Sequence, residues 1–333
     1  MSHYSVLVAI PGDSILNANY AAIENRVEAI LAPYLESTED AQYLSFEDCT
    51  EQCEQEYETK TVDYVRFPDG TECSANNYKF RERFTLKDGK IYCAPKKYDE
   101  PLVESEESKA LVLLPKQPLK DRCSFVEYCE DYCGYHQDDE GHWGYFSNPN
   151  AKWDWFEIGG RWSGPMLAKK NLMSALYASE FVNDPTVLGD YQAINGAFKK
   201  DIAWNMMQTI RLEAETKKFF KLQAAFLRKD ASDLGPLTAI KPEGIYGWGE
   251  LLYAAEETLE EYLERKGMNE QAPGGFYPYA YVDLEGAWHG QGDMGWFGLS
   301  SNDKPEIGWH SEVNAFIEGV HDDDYLVVVD CHI

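Results

Sequence analysis

Between Asn148 and Gly164 the chain concentrates Trp153, Asp154, Trp155, Gly159, Gly160, Arg161 and Trp162. An adjacent glycine pair lets backbone approach another group closely, and arginine offers a planar fork of donors suited to carboxylate or phosphate. The tryptophans could stack on a planar ligand or partner, or fill a core at strand spacing. Arg161 has its own alternative, an ion pair with Asp154 or Glu157 that locks the turn. The C-terminal run Tyr325-Leu-Val-Val-Val-Asp-Cys-His-Ile333 is the second place where chemistry can sit. In a strand, Leu326, Val328, Asp330 and His332 share one face, and Val327, Val329, Cys331 and Ile333 the other. A carboxylate and an imidazole on one face can transfer protons or bind metal, or simply tie the strand end to a loop. His289 precedes a second loop rich in glycine and tryptophan, Gly290 to Gly298. The catalytic candidates are therefore Asp154, Arg161, His289, Asp330 and His332. Trp153, Trp155, Gly159, Gly160, Arg161 and Trp162 form the candidate ligand or partner contact.

Seven of the eight cysteines lie between Cys49 and Cys133. Cys49 with Cys53, and Cys129 with Cys133, form two C-x3-C pairs. Thiols four residues apart share a helix face, so the two pairs could complete a structural zinc site; ordinary free thiols are the alternative.

These groups must be positioned by a folded scaffold, and 333 residues with 44% hydrophobic content can supply one. Tyr4 to Ile10 reads as a buried strand, and Ala21 to Tyr34 as an amphipathic helix carrying Ala22, Ile23, Val27, Ile30 and Leu31. A hairpin is expected around Asp88-Gly89, and a short strand at Leu111 to Leu114. Trp153 to Ile158 predicts another strand. Met173 to Phe181, Ala193 to Lys229 and Gly249 to Arg265 predict helices. Gly274 to Phe297 returns to strand character, with a turn at Glu285-Gly286. Trp309, Val313, Phe316, Ile317 and Val320 mark a last helix before the terminal strand.

That order predicts an α+β fold with a ferredoxin-like split βαβ-βαβ core, its first and last strands adjacent. The expected organisation is residues 1–45 and 274–333 as the two halves of the core. Residues 46–147 form a Cys-rich insertion, 148–170 a core strand with the Trp/Gly/Arg loop, and 171–273 a helical insertion. Homo-oligomerisation is a fold-level analogy only.

The balance of 58 acidic to 30 basic residues gives a net charge of -28. Such a surface repels nucleic acid and anionic membranes and suits a partner with a basic surface, though acidity also serves solubility alone. The sequence offers no signal-peptide pattern and no membrane-spanning run, so a cytoplasmic protein is expected. The Walker A, G-x-S-x-G, H-E-x-x-H and GxGxxG patterns are missing from the sequence.

Tyr132-Cys-Gly-Tyr135, Asn148 to Trp162, Tyr279-Ala-Tyr-Val-Asp283, Gly286-Ala-Trp-His289, Asp293 to Gly298 and Val329-Asp-Cys-His-Ile333 carry a resemblance. On these segments, about a quarter of the chain, it resembles a family of uncharacterised proteins from tailed phages and bacterial mobile elements. The resemblance brings no activity with it. It implies an accessory protein that binds and modulates a bacterial host protein, such as a defence component. An enzyme or small-ligand binder whose pocket joins the Trp/Gly/Arg loop to the Asp/His strand is the alternative, and a virion component a third.

Overall fold

Val6, Leu7, Val8, Ala9 and Ile10 leave no polar face, and they form the buried strand β1 (His3–Ile10). The last strand, β8 (Tyr325–His332), is buried along its whole length and pairs antiparallel with β1 from His3↔His332 to Ile10↔Tyr325. This computed structural model describes residues 2–15, 19–95, 97, 100–178, 189–268, 276–295 and 298–333. The chain divides into two compact units, Met1–Thr38 with Asn150–Ile333, and Glu39–Pro149.

In the first unit, β8 pairs on its other side with β2 (Trp155–Ile158) and β5 (Tyr191–Phe198), both antiparallel. β5 carries β3 (Met166–Lys169) and β4 (Leu176–Tyr177). Beyond β1 lie β6 (Ala280–Val282), parallel to it, and β7 (Trp288–Gly290), antiparallel to β6. The path runs β3-β5-β8-β1-β6-β7, with β2 extending alongside β8.

Helices cover both faces. Ile23, Val27 and Leu31 of α1 (Tyr20–Leu31) pack on Val6, Val8, Val327, Val329 and Cys331. Trp309, Val313 and Ile317 of α4 (Glu306–Gly319) pack on Leu7, Ala9, Leu326 and Val328. Both faces of β1 and β8 are thus removed from water, worth about 1.5–3 kcal/mol for each large apolar side chain.

The fold is α+β, but the ferredoxin-like arrangement is corrected in three respects. The helices lie on opposite faces, β6 runs parallel to β1, and β2 sits against β8 instead of at the far edge. The physical reason lies in β8 itself. Tyr325 to Val329 is apolar without alternation, as in strands buried on both faces, so one helical layer leaves half of it exposed. β2 finds a free edge on β8 because β5 reaches only to Val327.

The segment read as a helical insertion is also mixed. Ala193 to Phe198 is strand, not helix, and α2 (Trp204–Arg228) begins only after it. Cross-strand pairing overrides local propensity here, and Gly196 fits closely against the Tyr325 ring and the Leu326 carbonyl. The helix expected from Gly249 resolves into the strand Glu250–Ala254 and α3 (Leu259–Arg265), opened by a Thr258/Glu261 capping box. Phe219, Leu222 and Ala225 of α2 close a small core with Ile245, Tyr253 and Tyr262. Leu176–Tyr177 is strand, and 173–175 and 178 are not helical, where a helix over Met173 to Phe181 was expected; 179–181 lie outside the described residues, as do 274–275 and 296–297.

In the second unit the hairpin Phe84–Lys87/Lys90–Cys93 turns at Asp88-Gly89, where both residues have positive φ (50° and 73°). Val112–Leu113 is a strand. Among the described residues, no helix is long and apolar enough to cross a membrane.

Candidate functional site

β2, the turn after it and the ends of β1 and β8 bring the candidate residues together. Register places His3 opposite His332, Ser5 opposite Asp330, Trp155 opposite His332 and Glu157 opposite Asp330. Side chains at paired positions share a face. This face is the α4 face, beyond the apolar ground formed by Leu7 and Val328.

Asp330 is the centre. It is 1% exposed, and its carboxylate accepts from His3 Nδ1 at 3.1 and 3.2 Å and from the Arg161 backbone N–H at 2.9 Å. The Gly159-Gly160 turn makes that last bond reachable. Gly160 has φ +47°, and a Cβ there would stand 2.5 Å from Asp330 Cβ. A Cβ on Gly159 (φ +75°) would meet the Asn195 amide at 2.4 Å. Asn195 Oδ1 in turn accepts from Gly164 N at 2.7 Å and Ser163 Oγ at 3.1 Å. The turn is thereby pinned to the sheet on two sides.

His332 Nδ1 donates to Asp154 Oδ1 at 2.6 Å, while Trp155 stacks on the ring at 5.1 Å and 18°. The His3 ring meets His332 edge-on, with centroids 5.0 Å apart. Each imidazole therefore has Nδ1 committed to a carboxylate, which fixes the tautomer and leaves Nε2 as the working atom. Nε2 of His332 is buried with no hydrogen-bond partner among the described residues. Chemically this is a pair of carboxylate-oriented imidazoles able to accept or deliver a proton at Nε2.

Four of the five catalytic candidates meet here: Asp154, Asp330, His332 and Arg161, the last through its backbone. The ion pair between Arg161 and Asp154 or Glu157 is not formed. Among the described residues the guanidinium has neither a hydrogen-bond nor an ion-pair partner. His289 is not part of the cluster. It lies on β7, 2.8 Å from Asp283 Oδ2 and stacked on Tyr281, because the β6–β7 hairpin hangs off the far side of β1. The contact set divides as well. Trp155, Arg161 and Trp162 are exposed, whereas Trp153 is buried against α1, its indole N–H donating to Leu31 O at 3.0 Å. The second Gly/Trp loop reaches the N-terminus, where Ser2 Oγ donates to Gly295 O at 2.9 Å.

His3 and Asn195 were missed in the sequence. His3 was legible in principle: pairing the first and last strands places it opposite His332. Asn195 was hidden by the helical reading of its segment.

Among the described residues, no group of three or more His, Cys, Asp or Glu side chains is arranged to hold a metal ion. Cys129 and Cys133 lie in a π-helical turn, Tyr128–Cys133, and both thiols neighbour that of Cys53 within one apolar cluster. Cys53 is buried, and burial together with the neighbouring Cys133 and Cys129 thiols pushes its own thiol up to about 12.

The chain matches no protein-family model, no curated protein and no solved structure.

Proposed function

We propose that this is a binding protein of a phage or mobile element that engages and inhibits a bacterial host factor, such as a defence component, in the cytoplasm. The observation carrying this reading is the exposed trio Trp155, Arg161 and Trp162. The two tryptophans are 42% and 44% exposed, and the Arg161 guanidinium is uncommitted among the described residues, in a chain with 58 acidic groups. Tryptophan and arginine are the residue types that most often dominate binding energy. Trp155 is held in β2, Arg161 by its backbone bond to Asp330, and the residues just after Trp162 by Asn195, so little ordering cost remains on contact. The net charge of -28 steers the protein towards a basic surface.

Native mass spectrometry of the tagged protein recovered from bacterial lysate tests this. A stoichiometric host protein that is lost from an Arg161→Ala/Trp162→Ala variant of unchanged thermal stability is the expected result. No capture at physiological salt, or full retention by the variant, refutes the reading.

A second reading, an enzyme or small-ligand binder, is favoured by the convergence of Asp154, Asp330, His332 and His3 and by the unpartnered His332 Nε2. Under it, bound small-molecule mass accompanies the protein, and His332→Gln abolishes that mass.

A further inference from the structure

We infer that a polar cavity on the α1 side of the sheet is a binding site for a small hydroxylated anion, a sugar bearing a phosphate or carboxylate group. The cavity has a volume of about 520 Å³, and Tyr34, Lys152, Trp288, Gln291, Asp293 and Asn302 are among its lining residues. That size falls within the ~300–1,000 Å³ of small-molecule sites. It is separate from the His3–His332 cluster, whose side chains are on the α4 face, and it does not depend on the function proposed above.

The walls are held by bonds that do not consume its recognition groups. The Tyr34 hydroxyl donates to Gly286 O at 2.7 Å and accepts from Trp288 N at 3.0 Å, joining the chain after α1 to β7. Lys152 N donates to Tyr34 O at 2.8 Å. A Cβ on Gly292 would stand 2.0 Å from Asp303 Oδ1, and one on Gly290 2.8 Å from Gly292 O, so backbone alone fits along this side.

Against this frame the lining presents uncommitted polar groups. Among the described residues, the Lys152 ammonium, the Trp288 indole N–H and the Gln291 carboxamide make no hydrogen bond. Asn302 Nδ2 donates to Asp293 Oδ2 at 2.9 Å and leaves Oδ1 free to accept. The Lys152 ammonium selects an anionic group at contact distance, where its attraction outweighs the repulsion of distant, screened surface carboxylates. A carboxylate oxygen beside amide and indole donors matches hydroxyls, each of which both donates and accepts. An apolar ligand would leave these groups desolvated and unpaired. A sugar with one anionic substituent satisfies them together, the anion on Lys152 and the hydroxyls on Asp293 and Gln291.

Isothermal titration calorimetry of the full chain with ribose 5-phosphate, glucuronate, ribose and inorganic phosphate tests the assignment. Ribose 5-phosphate or glucuronate should bind at least tenfold more tightly than ribose and than inorganic phosphate, and whichever is tighter identifies the anion. Lys152→Met should weaken that binding at least tenfold, while Lys217→Met, at an exposed lysine of α2 outside the cavity, leaves it unchanged. Should Lys152→Met not fold, Gln291→Ala provides the same comparison. The assignment is overturned if no probe binds at millimolar concentration, if ribose or phosphate alone binds as tightly, or if a folded Lys152→Met binds like the parent.

Discussion

Replacing Gly160 by alanine probes the link between the glycine pair and the buried carboxylate. Gly160 has φ +47°, and an added Cβ would lie 2.5 Å from Asp330 Cβ and 2.6 Å from Asp330 Oδ2. The left-handed backbone alone costs alanine ~1–2 kcal/mol. Relieving the collision lifts the turn from Asp330 and weakens the Arg161 N–H bond to a buried charge, a further ~1.5–3 kcal/mol. The total is roughly 2.5–5 kcal/mol, the sum of those two contributions. Gly286→Ala separates them, because Gly286 has φ +82° with nothing within 4 Å of its added Cβ. It should cost only the backbone strain, ~1–2 kcal/mol. Urea unfolding of both variants, followed by near-ultraviolet circular dichroism at equal m-value, measures the difference. If the two variants agree within ~0.5 kcal/mol, the surface-substitution scale, Gly160 is an ordinary turn glycine and the reasoning fails.

Two further outcomes follow from buried groups. His310 on α4 stacks on Tyr277 at 3.6 Å with a buried Nδ1 that has no hydrogen-bond partner among the described residues, and burial lowers its pKa below the ordinary 6.5 against the opposing pull of Glu306. The unfolded imidazole then takes up a proton that the folded one resists, so stability is present above about pH 6.5 and is lost as pH falls below it. Unfolding free energies at roughly pH 7.5 and roughly pH 5.5 should show a smaller acid loss in His310→Gln than in the parent; parallel losses contradict the assignment. Cys53, with its thiol near 12, is protonated at neutral pH. Iodoacetamide should leave it unmodified in the native protein and label it in urea, as read by peptide mass spectrometry; equal rates in both states contradict the burial argument.

Much of the scaffold was legible because it is local. The unbroken apolar run Tyr325 to Val329, the α1 stripe Ile23, Val27 and Leu31, and the positive-φ turn at Asp88-Gly89 each follow from side-chain period or backbone freedom within a few residues. The shared face of Asp330 and His332 follows from the pleat alone. The same apolar run also signalled cover on both faces, a signal that the ferredoxin-like expectation did not use.

What only the tertiary structure decided is pairing across long chain separations. His332 and Asp154 are 178 residues apart, and His3 and Asp330 are 327 apart. Strand register brings each pair together, and a one-residue slip would turn those side chains to the opposite face. Residues 193–198 form a strand because β3 and β4 on one side and β8 on the other offer them edges, not because their own propensity requires it. Arg161 likewise spends its backbone on Asp330 and leaves its side chain outward, since the buried carboxylate takes from the turn a second donor beside His3. Local sequence therefore determines the elements and their apolar faces. The loop-closing contacts between distant strands determine which polar groups meet, because their free energy depends on register and burial that no short window contains.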